Sequence, residues 1–250
     1  MIRLVTFDFW ETLVEDSAAN LQAQRALRIE ALHRALAAAG EPRGETEVGA
    51  AHDRSQHVLV ERFWSRQRDV GSRVQVRVVL ECVAPGVADR MPPAVMEELV
   101  AGYISPVLAH PPALQPGAAE AIRDLAARGV ALGIISNTGR TPGIVLRRLL
   151  ESHDLLRHFG VISYSDEIGY RKPAAEIFHR TLAGAQAPAG EAAHVGDNPL
   201  DDVTGARAVG MLGVHYAAGG RAPAAHADLV VNHLAELPDR LGSVRPPGTR

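Results

Sequence analysis

Beyond His110-Pro111-Pro112 the chain alternates short apolar runs with helix-length amphipathic stretches, and no other feature restricts the fold as strongly. Residues 130–135, 161–164, 192–195 and 212–215 read as buried strands, with 229–231 as an edge strand. Between them, residues 117–128, 143–151, 174–183 and 200–209 carry helical spacing, and Gly129 supplies a stop for the first. Strands that alternate with helices pair in parallel through right-handed crossovers, which leaves helices on both faces of the sheet. One further run, Ile2-Arg3-Leu4-Val5-Thr6-Phe7, opens the chain and ends at Asp8.

Between that first strand and the alternating region lies a block without strand pattern. Asp16 or Ser17 caps a helix that runs to about Gly40, with Ile29, Leu32 and Leu36 at helical spacing and Arg25, Arg28 and Arg34 on other faces. Gly40, Pro42 and Gly44 interrupt it. Further helices are expected over 45–68, over 72–83, and from Pro92-Pro93 to about Leu108. The expected fold is α/β, a doubly wound (Rossmann-like), mostly parallel sheet with an inserted α-helical cap domain. Residues 1–14 and 111–242 form the core, 15–110 the cap, and 243–250 a frayed tail. A cap inserted there hangs over the tip of the first strand.

With 46% hydrophobic residues and a net charge of −3, the chain reads as an ordinary globular protein. It has no basic excess for nucleic acid. Cys82 is the single cysteine, so neither an internal disulfide nor a cysteine zinc site is available. No leader precedes the first strand and no apolar run is long enough to span a bilayer, so a cytoplasmic location without a membrane partner is expected. The oligomeric expectation is a monomer or a homodimer.

Four strand or loop ends each carry a reactive group. Asp8 ends the first strand, Ser136-Asn137-Thr138 the strand of Ile134-Ile135, and Asp197 the strand of His194-Val195, with Asp201 and Asp202 close behind. Lys172 follows Gly169-Tyr170-Arg171 and precedes Pro173. In a parallel sheet such ends share one edge, where ligands bind. This set suits phosphoryl transfer through a carboxylate nucleophile, with Mg²⁺ on two carboxylates, a carbonyl and waters. Lys172 and Ser136 are placed to neutralise and hydrogen-bond phosphate oxygens.

These segments resemble the haloacid dehalogenase-like (HAD) hydrolase superfamily, in its branch with a helical cap after motif I. Asp8–Thr12 is similar to motif I, residues 134–138 to motif II, 165–173 to the motif III region, and 194–206 to motif IV. The resemblance implies that Asp8 is the nucleophile and a metal ligand, and that Asp197 and the backbone carbonyl of Trp10 complete the protein ligands of Mg²⁺. It implies phosphate binding by Ser136, Asn137 and Lys172, with Asp202 orienting the metal waters or Lys172. The implied substrate is a small phosphorylated metabolite.

Trp10 departs from the pattern, because phosphatases of this family place there a second Asp that protonates the leaving oxygen and activates water. Loss of such acid–base help slows turnover by about 10²–10⁴-fold. Glu11 is adjacent but points elsewhere along the chain. Three functions therefore stand open: a Mg²⁺-dependent phosphatase slowed by Trp10, a catalytically impaired phosphate- and metal-binding or regulatory protein, and a metal-independent 2-haloacid dehalogenase-type hydrolase. The retained Asp197 favours a metal, since an acid buried beside Asp8 without a cation is costly. In purely structural roles, Trp10 fills the cap–core interface, Phe63 and Trp64 belong to the cap core, and Arg62, Arg66, Arg68, Arg73 and Arg77 form a solvated face. Asp201 divides evenly between a functional and a solvent-facing role, and the histidines show no ligand spacing.

Overall fold

The main sheet is built around β1 (Leu4–Phe7), whose four residues are all buried. A strand covered on both faces must be apolar on both, which explains its unbroken Leu-Val-Thr-Phe run. The computed structural model describes residues 1–243, so the tail expected from Ser243 lies outside the described residues from position 244 onward.

The chain leaves β1 through a tight turn and pairs β2 (Val14–Glu15) with β3 (Ala113–Leu114) in a two-stranded antiparallel ribbon. Everything between these strands is helical: α1 (Ala18–Ala38), α2 (Glu45–Arg62), α3 (Ser72–Val83), α4 (Val87–Arg90), α5 (Pro93–Ile104) and α6 (Pro106–Ala109). After β3 come α7 (Ala118–Ala127), β4 (Ala131–Ser136), α8 (Gly143–Ser152), β5 (Phe159–Tyr164), α9 (Ser165–Ile168), α10 (Ala175–Gly184) and β6 (Ala192–Gly196). A π-helical turn (Pro199–Thr204), α11 (Gly205–Ala208), β7 (Leu212–Tyr216), β8 (Leu229–Val231) and α12 (Leu237–Gly242) follow. The six-stranded sheet has the order β5-β4-β1-β6-β7-β8, and every pairing in it is parallel. The chain therefore reverses direction across the sheet at β1, with β4 on one side and β6 on the other. Such a switch point opens a crevice at the carboxyl ends of the strands.

Strand alternation sorts the core into two layers. Val5, Phe7, Ile134, Val195 and Val214 pack against the helices of one face. Leu4, Ile135 and Ala192 pack with Ile177, Phe178 and Ala206 on the other. The helical insert has its own core, centred on Leu32, Leu36, Val79, Leu99 and Tyr103. Among the described residues no helix is long and apolar enough to cross a membrane.

Three local departures from the helical expectations have identifiable causes. The helix expected to reach Leu108 divides at Ser105, because Pro106 starts a new helix and lacks the N–H that would continue the old one. The helix expected over 45–68 stops at Arg62, and after one 3₁₀ turn Gln67 takes a left-handed conformation (φ 56°). The stretch expected to be α-helical from Leu200 opens as a wider π turn, held by Asn198 accepting from the Leu200 and Asp201 N–H groups.

The turn at Gln67 clips the insert to the core. Asp69 donates its N–H to the Gly169 carbonyl, and Arg171 donates its own to that of Gln67. The Asp69 carboxylate is fully buried and accepts from Ser165 Oγ (2.5 Å), Arg171 Nη1 (2.8 Å) and Trp64 Nε1 (2.9 Å). Arg171 also lies 4.6 Å from the Trp64 ring centre. Trp64 is thus half-buried at the cap–core junction instead of in the cap interior. Removing one partner from such a buried cluster leaves an uncompensated charge. Asp69→Ala is expected to lower unfolding free energy by about 3–5 kcal/mol in urea titrations. A loss below about 1 kcal/mol, the range of an exposed pair, would show that the clip does not hold the insert down.

Candidate active site

The site is assembled at the carboxyl edge of β4, β1 and β6. Asp8 follows β1 directly and is held by its own backbone, whose N–H donates to the Val195 carbonyl (2.8 Å). Asp8 Oδ1 accepts from the Phe9 N–H (2.7 Å) and from Lys172 Nζ (2.8 Å). The same ammonium donates to Asp202 Oδ1 at 2.5 Å, and the Lys172 side chain is only 1% exposed. One buried cation therefore bridges two carboxylates supplied by β1 and by the turn after β6.

Asp202 is anchored from three directions. Besides Lys172, the Asn198 N–H donates to Oδ2 (2.9 Å) and His194 Nε2 lies 3.1 Å from Oδ1. Thr6 and His194 are register partners on β1 and β6, so both side chains point to the same face. Thr6 Oγ1 is 2.9 Å from His194 Nδ1, and burial pushes the imidazole pKa down, so the ring is neutral. A carboxylate can only accept, which assigns the ring hydrogen to Nε2 and leaves Nδ1 to accept from Thr6. Gly196 makes room: a Cβ there would overlap the Asp202 carboxyl. Burial by itself would raise the Asp202 pKa, but Lys172 and His194 outweigh it and hold the group well below the usual carboxylate range. Lys172 resists its own burial through the two acids, and its pKa rises.

Asn137 clamps the lysine from behind. Its Oδ1 accepts from the Lys172 N–H (2.9 Å), and its Nδ2 donates to the Lys172 carbonyl and to Asp201 Oδ2 (both 3.2 Å). This places Asp201 beside the site, half-buried. Ser136 is fully buried, yet its Oγ has no hydrogen-bond partner among the described residues. An orphaned buried hydroxyl is costly unless a ligand completes it.

Asp8, Asp197 and Asp202 each offer an oxygen within 4.8 Å of the others. Burial, then the neighbouring Asp8 and Asp202, push Asp197 up to about 7, although Arg221 Nη1 donates to its Oδ2 (2.9 Å). Burial likewise raises Asp8, against the pull of Lys172. Three acids and a single buried ammonium make a donor set that fits a hard divalent cation, which takes carboxylate and carbonyl oxygens. The Phe9 carbonyl accepts from both Leu13 and Val14, closing the turn without using the carbonyl of Trp10. Glu11 adopts φ 57° and turns its carboxylate to Arg221 Nη2 (3.1 Å). The Trp10 ring, half-buried, meets Phe9 edge-on (centroids 5.2 Å apart).

Trp10 also lines a cleft of about 340 Å³ between cap and core. Its core wall is Trp10, Asn137–Thr141 and Arg171; its cap wall includes Asp16, Gln24, Arg28 and Trp64. The sequence reading did not identify Thr6, His194, Asp69 or Arg221 as parts of the site. A histidine inside an apolar strand, six residues after Pro188 and eight before Asp202, is a signal for the first pair; nothing in the sequence marks Arg221.

The raised Asp197 sets a pH dependence. The folded protein holds this proton up to about 7, whereas an ordinary carboxyl loses it near 3.8, so ionisation on raising the pH through that interval disfavours the metal-free fold. A cation needs the ionised form, so Mg²⁺ affinity is expected to fall about tenfold from about pH 8 to about pH 6. Calorimetric titration of Mg²⁺ at the two pH values checks this; equal affinities would rule out Asp197 as a ligand.

Comparison with known proteins places the chain in a family. Residues 2–210 match the family model described as a haloacid dehalogenase-like hydrolase. A haloacid dehalogenase-like hydrolase domain-containing protein 3 from Xenopus laevis is 39% identical over 41% of this chain and 41% of its own length. The chain thus spans about two-fifths of that relative. A phosphoglycolate phosphatase from Yersinia pseudotuberculosis is 30% identical over 96% of this chain and 94% of its own. A solved 2-haloacid dehalogenase from Pseudomonas syringae superposes with a TM-score of 0.67, at 25% identity, over 97% of this chain and 99% of that one. The parallel sheet and the helical insert between β2 and β3 are therefore those of a family member: the chain belongs to the haloacid dehalogenase-like hydrolases.

Proposed function

We propose that this protein is a Mg²⁺-dependent phosphatase of small phosphorylated metabolites, acting through an aspartyl phosphate at Asp8. The observation that carries the reading is the convergence of Asp8, Asp197 and Asp202 around one buried ammonium, a site with more negative charge than its own cations balance. The full-length similarity to a phosphoglycolate phosphatase supports the same chemistry. Asp8, Asp197 and the carbonyl of Trp10 would hold the ion. When bound it would neutralise phosphate oxygens and the acids around them.

Asp8 Oδ attacks phosphorus, the bond from phosphorus to the ester oxygen breaks, and the alcohol leaves with a proton from solvent. Water then attacks phosphorus, releasing phosphate and restoring Asp8. Lys172 keeps Asp8 ionised and offsets charge on the transferring group, while Ser136 donates its unpartnered hydroxyl to a phosphate oxygen. Asp202 and Asn137 are positioning residues that hold Lys172 in place. Trp10 has no proton to exchange at this pH range, so both steps proceed without the usual acid–base partner, and turnover is slow. Glu11, engaged with Arg221, does not replace it.

Phosphate release from generic phosphomonoesters should require Mg²⁺, stop with chelator, and fall to background in Asp8→Asn. Chelator-resistant release of halide from a 2-haloacid, with no phosphate release, would instead identify the dehalogenase alternative. Phosphate binding without turnover would identify the regulatory one. Trp10→Asp is expected to raise the phosphatase rate about 10-fold or more, within the 10²–10⁴-fold value of general acid–base catalysis. A rate that stays level would sink the account of Trp10.

A further inference from the structure

The cap–core cleft contains two arginines, Arg28 and Arg140, that form no ion pair among the described residues. Arg28, on the inner face of α1, is buried; its Nε donates to the Tyr103 carbonyl and its Nη2 to Thr141 Oγ1 (both 3.2 Å). Arg140 comes from the loop after β4, on the opposite wall, and donates to the Tyr103 hydroxyl, the His52 carbonyl (3.1 Å) and Ser55 Oγ (3.0 Å). Every one of these acceptors is neutral. Among the described residues neither guanidinium has an acid within ion-pair distance, whereas Arg25, Arg73, Arg77 and Arg90 of the cap each meet a carboxylate on the surface. Asp16 lines the same cleft, where its Oδ2 accepts from Gln24 Nε2 (2.8 Å) and its Oδ1 has no hydrogen-bond partner among the described residues, and Arg171 is already matched by Asp69. His52 is held neutral, chiefly by burial and then by Arg140.

Half-buried and buried cations are retained against their desolvation only when something pairs with them. Two guanidinium groups against the single Asp16 leave one positive charge in excess, which matches a monoanion. The core wall of the cleft is made by Trp10, Asn137 and Arg171, the chain neighbours of Asp8, Ser136 and Lys172. A group in the cleft is thus the part of a substrate that lies beyond its phosphoryl end.

We infer that Arg28 and Arg140 form a recognition site for a carboxylate on the leaving group, so that the preferred substrate class is the phosphate monoester of a small hydroxy acid. This rests on the phosphatase reading for the placement of the phosphoryl end. Trp10 and Trp64 supply the apolar walls between the two charged ends. Arg28 is anchored to both α5 and the core loop, so a carboxylate bound there also ties the cap to the core and favours closure. The two arginines are specificity-determining residues that do not touch the reacting atoms.

The test compares phosphoglycolate with ethyl phosphate, which lacks the carboxylate, by calorimetric titration into the Asp8→Asn chain with Mg²⁺. Phosphoglycolate should bind about 10- to 100-fold more tightly, the range of charge-assisted hydrogen bonds to a guanidinium. That ratio should collapse toward one in Arg28→Gln and in Arg140→Gln on the same background, and recover in part in Arg28→Lys. A ratio near one in the unsubstituted cleft overturns the inference, and this comparison needs no arginine variant to fold. So does a ratio that survives both glutamine substitutions in chains that melt normally. Because binding is read without turnover, the two readings fail separately. Metal-dependent hydrolysis of both esters with equal affinity removes only the carboxylate site. A carboxylate preference in a chain that hydrolyses neither ester removes only the phosphatase.

Discussion

Lys172 is the one fully buried cation in the strand-tip crevice among the described residues, and the positions of Asp8, Asp202, Asn137 and His194 all follow from it. Three carboxylates brought this close repel one another and lose hydration, and an ammonium between two of them offsets part of both penalties. The arrangement holds only because the lysine cannot move: its side chain is bonded at the tip and its backbone is clamped on both sides by Asn137. Asp202 is in turn fixed by a neutral His194 and by the absence of a Cβ at Gly196. The remaining negative charge falls on Asp8 and Asp197, whose raised pKa values express a deficit that a divalent cation would fill.

The fold delivers these groups because the switch point lies at β1. With β4 on one side and β6 on the other, Asp8 is central and Ser136 and Asp197 flank it. The insert between β2 and β3 is then tethered beside the same edge and reaches over it. It is held there by the buried Asp69 cluster, which joins the cap to the residue preceding Lys172. A cap fixed at this point leaves a cleft between itself and the core, lined by Arg28 and Arg140.

Trp10 links the two halves. Its backbone follows Asp8 by two residues, and its ring forms part of the cleft wall. A side chain at that position can serve proton transfer or shape the cleft, and an indole serves the second. Glu11, strained into a left-handed conformation, bends the chain so that both are achieved within one turn.

Continuous apolar runs, their alternation with helices, and the acids and lysine at their ends were legible in the sequence, because burial on both faces of a parallel strand leaves a local signature. So were the helical insert and the residues Asp8, Ser136, Asn137, Lys172, Asp197 and Asp202, which the structure brings to one edge. The two-residue strands β2 and β3 were not, since their pairing joins residues about a hundred positions apart and carries no periodicity. The buried place of Arg28 was equally hidden: it lies four residues before Leu32 on the buried stripe of α1, where a charge reads as an irregularity until the facing loop is known. Tyr103 and Thr141 meet it from two other segments. The amino-acid sequence alone determined the sheet, its edge and the chemistry placed there, because each depends on local pattern. Which charges remain unmatched was decided only by tertiary structure, because that depends on every neighbour a group acquires on folding.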